Sequence, residues 1–275
     1  MKEMDEQLKA VQMLVLKEFI KICEKNGLKY FAIGGTALGA VRHKGFIPWD
    51  DDIDVALPRE DYKIFLTVAQ AQLPENMFLQ TYETDKNYPN CYAKIRVNDT
   101  TFIETAVSKL DINHGVYVDI FPLDGCSASK LKRKAFRTKE KLLKAAISCA
   151  YEIPDYSAVK RFIKRKILAR LIPCASAVRK LDKLYQSESY ADSDIISNYN
   201  GAWGVKEQMP KEIFGNGSVA EFDGIDIVLP EKAGEYLTRL YGDYMTPPPP
   251  EKRVSHHHCT VIDLNKSYKK YIYKD

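Results

Sequence analysis

Leu8, Val11, Leu14, Val15 and Ile22 recur at helical spacing, so the chain opens on a predicted amphipathic helix over roughly residues 5–26, ended by Asn26-Gly27. The period then changes. Tyr30 to Ile33 reads as a short strand, Gly34-Gly35-Thr36 as a tight turn and 36–41 as a short helix. Ile53, Val55 and Leu57 alternate with their neighbours as a strand does, Pro58 stops the run, and 59–72 is helical. Strands are expected at 77–82, 91–97 and 100–104, with Asn98-Asp99-Thr100 as a hairpin turn, and at Gly115 to Phe121, closed by a Pro122-Leu123-Asp124-Gly125 turn. From 128 to about 188 the periodicity is helical, with breaks near Ile153-Pro154-Asp155 and at Pro173. Segments 219–222 and 225–229 form a predicted hairpin around Asp223-Gly224, 231–241 is helical, and the prolines at 247–250 make a rigid extended stretch. This order predicts an α/β (α+β) fold, a mixed sheet flanked by helices. Its divisions are a core over 1–127, a basic helical insert over 128–190, and a segment over 191–275 that packs back on the core.

Composition changes this picture little: 275 residues, 45% hydrophobic and 28% charged, describe an ordinary globular chain. No apolar run approaches the roughly 18 residues of a membrane span. The first twenty residues are charged throughout, so no export signal is expected. Cys23, Cys91, Cys126, Cys149, Cys174 and Cys259 form no CxxC pair, which suits reduced thiols in a cytoplasm. Charge distribution matters more. Lys130 to Lys183 holds 17 Lys or Arg against four acidic residues, a local balance of +13 within a net charge of +4, so the remainder carries −9. Such a segment suits an anionic lipid surface, nucleic acid or an anionic polymer, or is simply a solvated helical face. Within it Phe162, Ile163, Ile167 and Leu171 interleave with cations as in an interfacial helix. Nucleic acid ranks below the membrane because no nucleic-acid-binding module is recognisable.

The segment GFIPWDDDIDVAL crowds Asp50, Asp51, Asp52 and Asp54 at the mouth of a buried-looking strand. Strand alternation puts Asp52 and Asp54 on one face, with Ile53 and Val55 on the other. Two neighbouring carboxylates suit a hard divalent cation shared with a phosphate. In GVYVDIFP, Asp119 offers a third carboxylate from a strand of apolar residues, where an unpaired charge is expensive. Asp50 and Asp51 stay outside this set, as outer or solvated groups. The alternatives are a solvated acidic turn, an ion pair for Asp119, and a non-enzymatic acidic patch that docks a basic partner. An EF-hand is disfavoured by Val55 at the position that needs Gly.

Gly34 and Gly35 stand between strand and helix, where backbone approaches a ligand closely and a helix start favours an anion. Neither a Walker A nor a GxGxxG pattern is present. Strand, Gly-Gly-Thr, helix, Asp-x-Asp and a later strand Asp together resemble the nucleotidyltransferase fold. GGTALGAVRHKGFIPWDDDIDVALPREDY resembles the hallmark segment of the LicD family, which includes bacterial phosphocholine transferases and is related to fukutin-type phosphotransferases. GVYVDIFPLDG and LYGDYMTPPPPEKRVSHH are similar to two further family elements, so the resemblance spans most of the chain, the basic insert least.

The resemblance implies transfer of phosphocholine, or a related phosphorylated headgroup, from a CDP-linked donor to a hydroxyl, with CMP leaving. The acceptor would be a cell-surface glycan such as teichoic acid or lipopolysaccharide, or its lipid-linked precursor, at the cytoplasmic membrane face. It implies Mg²⁺ (or Mn²⁺) on Asp52, Asp54 and Asp119, with Asp119 also placed to take the acceptor's proton. Gly34, Gly35 and Thr36 would hold donor phosphates. Arg42, Lys94, Arg96, Lys252, Arg253, His256 and His257 are the candidate supporting cations, with charge compensation or an exposed sheet face as their plainer roles. His256-His257-His258-Cys259 is too contiguous to converge on zinc. A choline headgroup calls for an aromatic cage, for which Trp49, Tyr117, Tyr199, Trp203 and Tyr244 are candidates, none singled out. The rival enzyme reading is a nucleotidyltransferase that moves a nucleoside monophosphate from a triphosphate and releases pyrophosphate.

Overall fold

Helix α1 (Lys2–Lys25) buries Leu8, Val15, Leu16, Phe19, Ile22 and Cys23 along one stripe in the computed structural model of the chain, which describes residues 2–148, 171–254 and 258–272. Leu14, expected in that stripe, is exposed, and Gln12 is buried in it instead. The chain continues through β1 (Phe31–Ala32), α2 (Gly34–His43), β2 (Asp54–Pro58), α3 (Arg59–Gln72), β3 (Met77–Gln80), β4 (Ala93–Val97), β5 (Thr101–Glu104) and β6 (Val116–Gly125). The main sheet is mixed and runs β1-β2-β6-β4-β3, with β2 and β6 parallel and the other pairs antiparallel. Two short strands, β7 (Ile195–Ser197) and β8 (Met209–Pro210), extend it to seven from the far end of β6. Val55, Ile95, Val118 and Ile120 of the sheet share one buried core with Phe19 of α1 and Phe65 of α3.

Two expected turns are different. At 97–100 the chain does turn, with Thr100 N–H bonded to Val97 O. The strands on either side then part: β4 joins the main sheet, while β5 pairs with β11 (Cys259–Asp263). The Pro122–Gly125 segment is not a turn but the end of β6. It stays extended because Leu123 is buried, Asp124 and Gly125 pair with β7, and Arg59 donates two 2.6 Å hydrogen bonds to Asp124. Tertiary partners here override the local turn preference.

Arg59 also fastens the insert. Helices α4 (Lys130–Ile147) and α5 (Cys174–Tyr185) pack through Leu143, Ile147, Val178, Leu181 and Tyr185. Asp182 of α5 accepts from Arg59 Nη1 at 3.0 Å and from Tyr82 Oη at 2.8 Å. Residues 149–170 lie outside the described residues, and with them the predicted break near Pro154 and most of the interleaved segment from Lys160 to Leu171. The C-terminal part supplies the hairpin β9 (Ser218–Phe222) and β10 (Ile225–Leu229), turning at Asp223 (φ 45°) and Gly224 (φ 78°) as a two-residue hairpin turn requires. Helix α6 (Ala233–Tyr241) follows. The proline stretch runs into a 3-10 turn, Pro250–Lys252, and α7 (Lys269–Ile272) comes last.

Candidate active site

A cleft of about 800 Å³ opens where β2, β6 and the start of α2 meet the segments 198–207 and 236–252. Asp50, Asp52, Asp54 and Asp119 all line it. Parallel pairing of β2 with β6 sets Asp54 opposite Asp119, and Asp119 N–H bonds to Ile53 O at 2.9 Å. The acidic segment before β2 is tied down by α1: Gln12 donates to Asp51 O at 2.7 Å, and Lys9 reaches Ile47 O and Pro48 O at 3.4 Å. The glycine turn packs on these carboxylates. Thr36 Oγ1 accepts from Asp54 N–H at 2.8 Å. A Cβ on Gly35 would stand 2.4 Å from Asp50 Oδ2, and one on Gly34 would stand 3.0 Å from Asp54 Oδ2. Gly34 also has φ 55°, so only a residue without Cβ fits there unstrained.

Negative charge is concentrated in the site. Burial, and then the charges of Asp52, Asp119 and Asp50, raise Asp54 well above the ordinary carboxylate range, against the pull of Lys94. Burial likewise raises Asp119, opposed by Lys94, whose Nζ lies 2.9 Å from Asp119 Oδ1. Among the described residues, Asp50, Asp51 and Asp52 are the three carboxylates whose oxygens converge within 4.8 Å of one another. Sequence reasoning left Asp50 and Asp51 outside the ligand set, yet the structure gathers them with Asp52, while Asp119 stands against Lys94 on the neighbouring strand. An all-oxygen donor set of converging carboxylates fits a hard divalent cation.

The acidic-patch alternative requires Asp119 to lie away from Asp52 and Asp54. Asp119 instead shares their cleft, in register with Asp54. Arg42 and Lys252 line the cleft as well. Arg42 donates to Tyr244 O at 2.7 Å, and its guanidinium and that of Arg253 stand 6.0 and 5.3 Å from the Trp49 ring. Arg253 also donates to Pro248 O. Lys94 and Arg96 share one sheet face as expected, but that face is buried, not exposed. Arg96 is spent inside the protein, donating to Gln80, to Gly115 O and to Glu104, and it does not line the cleft. His256 and His257 lie outside the described residues.

Of the aromatic candidates, Trp49, Trp203 and Tyr244 line the cleft. Tyr117 is buried beneath Lys94, 3.3 Å from Nζ to the ring centroid, and Tyr199 packs in the insert's core. Glu207, Tyr236 and Tyr241 are among the cleft residues from far along the chain that sequence reasoning missed. Tyr236 Oη accepts from Gly34 N–H at 2.9 Å. Burial pushes the Glu207 carboxyl up to about 7, against the Trp203 N–H that it accepts. The segment before Glu207, NYNGAWG, held two aromatic candidates, Tyr199 and Trp203, but nothing local marked the acid.

Residues 27–147 match the family described as "LicD/FKTN/FKRP, nucleotidyltransferase domain". Over 250 residues the chain is 31% identical to the lipopolysaccharide cholinephosphotransferase LicD of Haemophilus influenzae, an alignment that covers 88% of this chain and 92% of that one. It is 38% identical over 73 residues to an uncharacterized protein of Rickettsia prowazekii, covering 26% of this chain and 27% of that one. A shorter stretch of 42 residues is 43% identical to the human ribitol 5-phosphate transferase FKRP, covering 15% of this chain and 8% of that one.

Proposed function

The chain belongs to the LicD/FKTN/FKRP family of nucleotidyltransferase domains, and from that premise we propose that it transfers phosphocholine, or a related phosphorylated headgroup, from a CDP-linked donor to a hydroxyl of a cell-surface glycan or its lipid-linked precursor. The observation that carries this reading is the shared cleft of Asp50, Asp52, Asp54 and Asp119 beside the glycine turn. The acceptor oxygen forms its bond to the headgroup's phosphorus, the bond from that phosphorus to the CMP oxygen breaks, and CMP departs. Asp52, Asp54 and Asp119, with Asp50 and Asp51 beside them, would hold Mg²⁺ or Mn²⁺, which when bound neutralises the diphosphate and the charge of the transition state. Asp119, oriented by Lys94, takes the acceptor's proton. Arg42 and Lys252 stand at the cleft to meet donor phosphates.

No described helix is long and apolar enough to cross a membrane. Helix α4 suits the membrane surface instead. Leu131 and Leu142, 78% and 50% exposed, fall on one outward stripe with Ala135 and Thr138. Lys130, Lys134 and Lys141 flank it on one side, and Lys132 and Lys139 on the other. Exposed leucines between cations favour anionic lipid over nucleic acid. Co-sedimentation with phosphatidylglycerol vesicles, lost in Leu131→Asp/Leu142→Asp, checks this placement at the cytoplasmic face.

The test of the transfer is calorimetric titration with CDP-choline, CDP-ethanolamine, CDP-glycerol and CDP-ribitol, with and without Mg²⁺, on the native chain and Asp52→Asn. Metal-dependent binding of one donor, lost in the variant, is expected, followed by CMP on addition of acceptor. Pyrophosphate release from a nucleoside triphosphate would give the reaction to a nucleotidyltransferase instead.

A further inference from the structure

One buried acid in the cleft has no part in the phosphoryl chemistry. Glu207, 5% exposed, ends the 3-10 turn Gly204–Glu207 and lines the cleft. Its hydrogen bond comes from Trp203 N–H, 3.4 Å from Oε1. Gly201 leaves the carboxylate its room, since a Cβ there would stand 2.2 Å from Oε1. Elsewhere this chain pairs its buried acids with cations, Asp124 with Arg59 and Asp119 with Lys94. Glu207 has no such ion pair among the described residues, and no cation acts on its titration. A buried carboxylate with one long hydrogen bond costs free energy unless something positive comes to it.

The walls around it suit a particular kind of cation. Trp203 and Tyr241 meet edge to face, their centroids 5.0 Å apart, and both line the cleft, as does Tyr236. Trp203 already attracts one positive charge, Lys206 Nζ at 5.1 Å from its centroid, although Lys206 spends a hydrogen bond on Leu240 O. Aromatic faces next to a carboxylate hold an alkylammonium group, which needs charge and soft surface and little hydrogen bonding. A neutral polyol would leave Glu207 uncompensated.

We propose that Glu207, Trp203 and Tyr241 form a subsite for an alkylammonium headgroup, so that the transferred group is a phosphorylated amino alcohol and not a phosphorylated polyol. This rests on the transferase reading above and narrows its donor. Within that class, a primary ammonium leans on Glu207 through hydrogen bonds, and a quaternary one leans on Trp203 and Tyr241.

The native chain, Glu207→Gln and Trp203→Leu would be titrated in Mg²⁺ with phosphocholine, phosphoethanolamine and glycerol 3-phosphate. Trp203 is 41% exposed, so its variant is expected to fold, and circular dichroism checks both. At least one amino-alcohol phosphate should bind roughly tenfold or more tightly than glycerol 3-phosphate. Each substitution should remove most of that preference and leave glycerol 3-phosphate unchanged. A larger loss for phosphoethanolamine in Glu207→Gln, or for phosphocholine in Trp203→Leu, names the headgroup. Equal affinities, no binding of any of the three, or a preference that survives in the folded variants overturns the subsite. Titration with CDP-glycerol and CDP-choline separates the two failures. Mg²⁺-dependent binding of CDP-glycerol, lost in Asp52→Asn, keeps the transferase and discards the subsite, whereas silence of every CDP donor discards both.

Discussion

Replacing Asp52 by Asn should make the metal-free protein more stable and weaken its stabilisation by metal. The oxygens of Asp50, Asp51 and Asp52 lie within 4.8 Å of one another. At 4.8 Å two unit charges repel by about 0.9 kcal/mol in water and about 3.5 kcal/mol at an effective dielectric of 20. All three residues are half-buried, so solvent screening keeps the value toward the lower figure. Asp52→Asn removes two such repulsions and a further one with Asp54, a gain of about 1–3 kcal/mol, or a few degrees in Tm. Mg²⁺ at a hundredfold excess over its Kd would stabilise the native chain by about 2.7 kcal/mol and the variant by less. The variant's advantage in EDTA therefore shrinks in Mg²⁺, and reverses where the charge relief lies at the lower end of that range. Urea unfolding followed by circular dichroism reads both. A variant that is less stable than the native chain in EDTA, with neither protein responding to Mg²⁺, would refute the argument and return the segment to a solvated acidic turn.

Three further outcomes follow from the same geometry. Asp119→Asn should lower kcat for headgroup transfer by about 10²–10³ while the fold survives, read as CMP release. Glu207 binds its proton more tightly in the folded chain, at about 7 against an ordinary 4.5, so its contribution to stability is greatest below pH 4.5 and falls as pH rises toward and through 7. Glu207→Gln should remove that part of the fall, making the variant more stable than the native metal-free chain at pH 8 by up to about 3 kcal/mol, and unfolding at pH 5 and pH 8 measures it. Arg59→Met strands two buried carboxylates, Asp124 and Asp182, and should cost about 3–5 kcal/mol at neutral pH in urea unfolding, less in acid where the carboxylates protonate.

What one stretch of chain could reveal about itself depended on period. Alternation of apolar and acidic residues around Ile53 and Val55 was enough to read β2 and to place Asp54 on the face opposite the apolar residues, and the same logic read β6 with Asp119 in it. The two-residue turn at Asp223-Gly224 was legible because it needs two positive φ angles, which few residues tolerate. What could not be read were pairings across the chain. Register between β2 and β6 sets Asp54 opposite Asp119, and that is a property of two strands more than sixty residues apart. Pro122–Gly125 has turn chemistry, and it is a strand because Arg59 and β7 hold it straight. Arg96 looks like a phosphate ligand on a strand face, and it is a core cation because Gln80, Gly115 and Glu104 close over it. Glu207 is an unremarked acid in sequence; only folding brings it, buried, beside Trp203 and Tyr241 in the cleft that holds the aspartates. Local sequence sets which face a side chain takes, because that depends on backbone geometry alone, whereas burial and charge partners depend on contacts that exist only once distant segments have met.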